Sequence, residues 1–250
     1  MKLPIKIEPD RIRDSIVQIF FKSEIPFEPL IGYFYEILSK AGFAYTNAPV
    51  KPQQKTQISG QANEFMVNIL PQHLFFNEEI KIQLHQSGSI IFNCINKYIG
   101  WNKFFAYIND ILLKLKNQNV IYGFQRIGIR YISEFPNIDL SDKLNFSYRL
   151  EGLNESLHNG NFRFEWNDDP YKIVVNLGIK LPILISTTVD NIKIDYISLI
   201  DIDVIQQGFN IVENEELCSV INSTHIKQKR IFFTLLKEEF LQTLNPIYEL

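Results

Sequence analysis

The tetrapeptide Ser23-Glu24-Ile25-Pro26, with Leu30 four residues on, returns 110 residues later as Ser133-Glu134-Phe135-Pro136, with Leu140 in the same place. So short a match constrains the fold because the predicted elements around it repeat at the same interval. A β-rich run over 11–21 lies between Pro9 and Pro26, and apolar residues recur at helical spacing from Phe27 to Ala41. Short β-rich segments are predicted at 57–60, 64–70, 79–85 and 89–95, the last two joined by the hairpin turn Gln86-Ser87-Gly88. A helix from Trp101 to about Asn117 closes the first set, with Asn119 suited to terminate it. The second set opens with a strand over 123–134, where Ile127, Ile129 and Tyr131 alternate with Arg126, Gly128 and Arg130. A short helix over 140–150 follows, then β-rich runs at 162–166, 171–179, 183–189 and 192–205, the first two joined by the turn Asn167-Asp168-Asp169-Pro170. A long last helix, capped by Asn214, carries Leu217, Val220, Ile221, Ile231, Leu235 and Phe240 on one face.

The chain is therefore expected to be α+β, with tandem β-α-β4-α halves at 1–120 and 121–250. The halves share one broad antiparallel sheet with the helices on one face, because each amphipathic helix must bury its stripe against something. This topology resembles the two-fold saddle of the TATA-binding-protein-like folds, and the likeness covers topology alone. A net charge of -3 provides no general basic field, so nucleic acid is a less favoured partner than protein, and a shared topology licenses no shared function.

With 46% hydrophobic residues in 250, a sizeable core is expected. No apolar run approaches the ~20 residues of a membrane-spanning helix. The first ten residues are broken by Pro4, Pro9 and charges, so neither a signal peptide nor a membrane role is expected, and the predicted compartment is the cytoplasm. Cys94 and Cys218 read as buried thiols rather than as a disulfide or a zinc site. His73, His85, His158 and His225 lack metal-site spacing, and no cofactor motif occurs, so no metal or cofactor is expected.

Three groups of residues are candidates for chemistry. Arg126 and Arg130 share a strand face across Gly128, a geometry suited to a phosphate or carboxylate, although pairing with sheet carboxylates is the commoner use of such arginines. Asp201 and Asp203 share one face of a strand and would hold a cation or divide acid and base roles, unless they are a solvated strand face. His225 falls one turn beyond Ile221 near the apolar face of the last helix, where a packed histidine is the plainer interpretation.

Several segments resemble a sporadically distributed family of bacterial and archaeal proteins of similar size, for which no activity is established. The opening Pro9-Asp10-Arg11-Ile12-Arg13-Asp14 is similar to its Pro-rich first strand, with Asp14 where the family usually has Glu. Tyr98-Ile99-Gly100-Trp101 resembles its Tyr-x-Gly-Trp lead into the central helix. Gln125-Arg126-Ile127-Gly128-Ile129-Arg130-Tyr131-Ile132 resembles its Arg-hydrophobic-Gly-Leu-Arg-Tyr strand, while Asp201-Ile202-Asp203 and His225 fall where it has an acidic strand and a helix histidine. The family's patchy distribution is similar to that of toxin-antitoxin and anti-phage modules.

The leading expectation is a non-enzymatic protein-binding module of such a system, with a partner encoded by a neighbouring gene and homo-oligomerisation left open. A second is an enzyme on a phosphate-bearing substrate such as RNA or a nucleotide, with Arg126 and Arg130 as anion clamp and Asp201, Asp203 or His225 as acid or base. That enzyme requires these side chains to converge. A third is a small-ligand-binding protein with a pocket between helices and sheet.

Overall fold

A computed structural model of the chain describes residues 3–47, 73–147, 159–187 and 191–249. In chain order the elements are β1 (Lys6–Ile7), β2 (Ile12–Lys22), α1 (Phe27–Lys40), β3 (Ala44–Thr46), β4 (His73–Phe76), β5 (Ile80–His85), β6 (Ser89–Cys94) and α2 (Trp101–Asn117). They continue as β7 (Gly123–Pro136), β8 (Gly160–Asp168), β9 (Tyr171–Thr187), β10 (Asn191–Ile211), α3 (Asn214–Leu235), α4 (Glu238–Thr243) and β11 (Pro246–Ile247). The protein is α+β: nine strands form one antiparallel sheet in the order β3-β4-β5-β6-β2-β7-β10-β9-β8, and β1 pairs with β11 in a separate ribbon. The strands predicted at 57–60 and 64–70 lie outside the described residues.

The strand order reads outward from the central β2–β7 contact, each of these strands being flanked by the last strand of its own set, β6 or β10. Gln18 pairs with Gly128, 110 positions on, and the flanking pairs Val17–Ile129 and Ile19–Ile127 mirror each other about it. Alternation decides what each face receives. Val17, Ile19 and Phe21 of β2 and Ile127, Ile129 and Tyr131 of β7 are buried with Phe34 of α1, Phe104 and Ile108 of α2 and Leu217 and Ile221 of α3. Ile200, Ile202 and Val204 of β10 and Ile173, Val175 and Leu177 of β9 pack with Phe233 of α3 and Phe240 of α4. All four helices thus cover the same face. Each such fully buried side chain contributes roughly 1.5–3 kcal/mol of transfer free energy.

Four local expectations need correction. No helix occurs over 140–147; the chain makes turns there, and Leu144 bridges to Leu236. That bridge also breaks the last helix, since Asn145 N–H donates to the Leu235 carbonyl (2.7 Å) and Lys237 N–H to the Lys143 carbonyl (2.9 Å), which holds Leu236 and Lys237 extended between α3 and α4. Residues 171–187 are one strand rather than two, because the irregularity at Lys180, with φ of 50°, is absorbed as a register shift opposite Ile197–Leu199. Asn214 is the first residue of α3 rather than its cap; its side chain donates to Asn109 Oδ1 at 3.2 Å.

Candidate functional site

The sheet face opposite the helices carries four of the five residues singled out from the sequence. Arg130 on β7 donates through Nε and Nη2 to the two oxygens of Asp201 on β10, at 2.7 and 2.8 Å, and Asn176 Nδ2 adds a third donor to Asp201 at 2.9 Å. Arg126 donates to Gln18 Oε1 at 2.9 Å and lies over the Phe20 ring, 4.9 Å from its centroid. Asp203 sits between them above Gly128, where a Cβ would stand 3.6 Å from Asp203 Oδ1 and 3.8 Å from Arg126 Nη2. Burial pushes the Asp203 carboxyl up, against the pull of Arg126 and Arg130. Arg163 is engaged by Asn176 and Glu165 (3.1 and 3.2 Å), and Arg13 by Glu134 and Asp14. A recess of about 420 Å³ opens among Arg13, Arg130, Arg163, Asn161, Asn176 and Asp201. Arg126 and Arg130 share a face as expected, yet each is held by a separate partner rather than turned toward a common anion.

His225 is on the other side of the sheet. Its ring stacks on Trp101 at 3.8 Å and 3°, and meets the edge of Tyr131, whose side chain points to the helix side while that of its neighbour Arg130 points away. The sheet stands between His225 and the Asp201–Asp203 pair, so the acid, base and anion-clamp set of the enzyme expectation is not brought together.

What surrounds His225 is a pocket of about 560 Å³ among the N-terminal segment, the start of α2, β7 and α3. Its construction follows from the local sequence. Gly100, with φ of 84°, turns the chain so that Trp101 opens α2 without a side-chain cap. Trp101 is fixed by Asn222 Oδ1, which accepts from its indole N–H at 2.9 Å, and by Phe105 on its flank. Tyr98 and Tyr131 join hydroxyls at 3.0 Å. The buried stripe of α3 changes character midway: Leu217 and Ile221 give way to Thr224, His225 and Gln228 before Phe233. Thr224 is satisfied by the Val220 carbonyl at 2.7 Å. Gln228 and His225, only 2% and 8% exposed, line the pocket and have no hydrogen-bond partner among the described residues.

Burial sets the protonation of the rings that line this pocket. Burial, assisted by Lys229, lowers the His225 pKa to about 3, so the imidazole is neutral at physiological pH. Burial raises both tyrosines, so both remain phenols. Asp10 is raised mainly by burial, although its carboxylate accepts the Ile12 N–H at 2.9 Å. Lys229 is lowered by burial and faced by Glu249. No cluster of three His, Cys, Asp or Glu able to hold a metal occurs among the described residues. Cys94 and Cys218 are free, partly buried thiols, both raised by burial.

Compared with known proteins, the chain matches no family model and no curated protein sequence. No described helix is long and apolar enough to cross a membrane.

Of the pocket's polar residues, only His225 was a sequence candidate. Gln228 was legible in principle: it stands three residues after His225, so two polar side chains share the face that Leu217 and Ile221 bury. The gap between Ile221 and Ile231 in the predicted apolar stripe marks the same place. Arg11 and Lys229 carried no comparable signal, since lone cations near chain ends and on helices are mostly solvated.

Proposed function

We propose that the protein is a non-enzymatic binding protein that holds a small polar ligand in the pocket between α3, the start of α2 and the N-terminal segment. The observation that carries this reading is the pair Gln228 and His225, polar side chains more than nine-tenths buried, unpartnered among the described residues and lining a cavity of metabolite size. Neither side chain has a polar atom sealed from solvent, so both present their hydrogen-bonding groups to the cavity, where water or a ligand that replaces it satisfies them. A neutral imidazole, a carboxamide and two phenols offer both donors and acceptors to a bound molecule, the complement expected of a recognition site.

The tandem organisation belongs to the same proposal. The symmetric strand order, and a β2–β7 register centred on residues 110 apart, support two related halves fused edge to edge in the manner of the TATA-binding-protein-like saddle. Asp10, Arg11 and Ile12, then Tyr98 to Trp101, then Tyr131 and His225, far apart in sequence, all line this one pocket. Docking of a protein partner on the opposite face is less favoured, because Arg130, Asp201 and Asn176 already satisfy one another.

Native mass spectrometry of the protein purified under mild conditions tests the proposal. A small molecule retained by wild type and lost from Gln228→Leu is expected. The decisive complement uses Trp166→Phe, which leaves Trp101 as the single indole of the chain's 2. If its emission ignores the dialysable fraction of a cell extract and no molecule co-purifies, the proposal is overturned.

A further inference from the structure

We infer that the pocket is an anion site, taking the carboxylate or phosphate end of its ligand between the N-terminus of α2 and the guanidinium of Arg11. This rests on the ligand-binding reading above. The first intrahelical bond of α2 runs from Phe104 N–H to the Gly100 carbonyl at 3.0 Å, so the amides of Trp101, Asn102 and Lys103 precede the hydrogen-bonded ladder. Residues Gly100 to Lys103 line the pocket, and the first turn contains neither a capping side chain nor an acid. The other three helices carry Glu28, Glu215 and Glu216, or Glu238 and Glu239 in theirs. The positive end of a 17-residue helix thus faces the cavity with no acid in its own first turn, the lining carboxylates Asp10 and Glu249 lying on other segments.

Arg11 supplies the second component. It lines the pocket, forms no ion pair among the described residues, rests 5.9 Å from the Phe135 ring centroid, and leaves its buried Nε without an acceptor. A guanidinium in that state is matched by a planar or tetrahedral oxyanion. Gln228 and His225 supply the third, independent component: both residues are more than nine-tenths buried, line the cavity and leave their polar atoms without a protein partner among the described residues. The remaining charges do not cancel this field. Lys103 is paired with Glu79 and Lys6 with Glu8, Glu249 faces Lys229, and the Asp10 carboxylate accepts the Ile12 N–H at 2.9 Å. The body of the ligand beyond its anionic end would meet His225, Gln228 and the Tyr98–Tyr131 hydroxyl pair.

The test titrates Trp166→Phe protein with inorganic phosphate, benzoate and neutral benzamide at constant ionic strength, following Trp101 emission. Saturation by phosphate but not benzoate assigns a phosphate-bearing ligand, and the reverse assigns a carboxylate. In either case at least tenfold weaker binding is expected for benzamide, and for the anion with Arg11→Gln. Arg11→Lys should restore part of the loss, and Arg163→Gln on the opposite face should leave binding unchanged. Benzamide binding as tightly as benzoate, or Arg11→Gln binding anions like wild type, overturns the anion inference while leaving the pocket as a ligand site. If no probe saturates, the co-purified molecule decides: its loss from Arg11→Gln supports the inference, its retention overturns it, and its absence from wild type sinks both.

Discussion

The two faces of the sheet each carry a cluster of buried or half-buried polar groups, and they differ in how those groups are satisfied. On the face away from the helices, the Arg130 fork meets both oxygens of Asp201, and Asn176 fills a further position. On the helix side, Gln228 and His225 are as enclosed as Asp201 or more so, yet make no hydrogen bond to protein among the described residues. Charge drew attention to the first cluster in the sequence, whereas incompleteness marks the second in the structure. A closed network stabilises the strands that carry it; an open one is a set of donors and acceptors held ready for something else.

Four experiments would break or sharpen this contrast. The largest expected effect is on the closed cluster: Asp201→Ala should cost about 2 kcal/mol in chemical denaturation, less than a fully buried pair, because Arg130 keeps 42% of its side chain in solvent. Ligand uptake by that variant should match wild type; if binding falls with stability, the two faces are not separable. A comparable effect attaches to pH. The His225 pKa is lowered from 6.5 to about 3 in the folded state, so its contribution to stability is complete above 6.5 and is lost as pH falls toward 3. Roughly 2 kcal/mol should vanish between neutrality and pH 5. Denaturation of His225→Phe should lack that component, and an unchanged pH profile in the variant would remove His225 from the account.

Gln228→Leu should leave the stability of the ligand-free protein within about 0.5 kcal/mol of wild type, because the carboxamide faces the pocket rather than a sealed interior, while abolishing retention of the ligand. A loss of stability instead would mean that the carboxamide is satisfied internally. The smallest effect is expected for Gly128→Ala, whose Cβ would meet Asp203, Arg126 and Ile205 at 3.6–3.9 Å, ordinary contact distances. Reduced freedom of the unfolded chain should stabilise it by about 0.5 kcal/mol in a thermal melt. A clear destabilisation would show that Asp203 and Arg126 need the bare backbone beneath them.

Periodicity read the regular elements well and tertiary exceptions poorly. The helix from Trp101 to Asn117 and the Ser89 hairpin were visible because their local signals, a stop at Asn119 and a turn at Gly88, agree with their packing. The break at Leu236 was not visible, since neither glycine nor proline marks it and its cause is a contact with Leu144, some 90 residues away in sequence. The gap read between the runs at 171–179 and 183–189 is a bulge within one strand, because residues that interrupt an alternating pattern can be absorbed within a long antiparallel pair. The candidate site divides in the same way. Arg126 and Arg130 were correctly placed on one face by alternation, but alternation cannot say which partners hold them. His225 was identified by its position, while Arg11 and Gln228 acquire meaning only when Tyr98, Tyr131 and the start of α2 close around them.

The pocket's walls come from residues near 10, 100, 131 and 228, and its rim from the segment that β1 and β11 tie together. During synthesis such a cavity does not exist until α3 has been made and docked, so a nascent or truncated polypeptide would have nothing to offer a ligand. Occupancy would accordingly report completion of the whole fold, and a bound molecule would protect every segment at once rather than the few it touches.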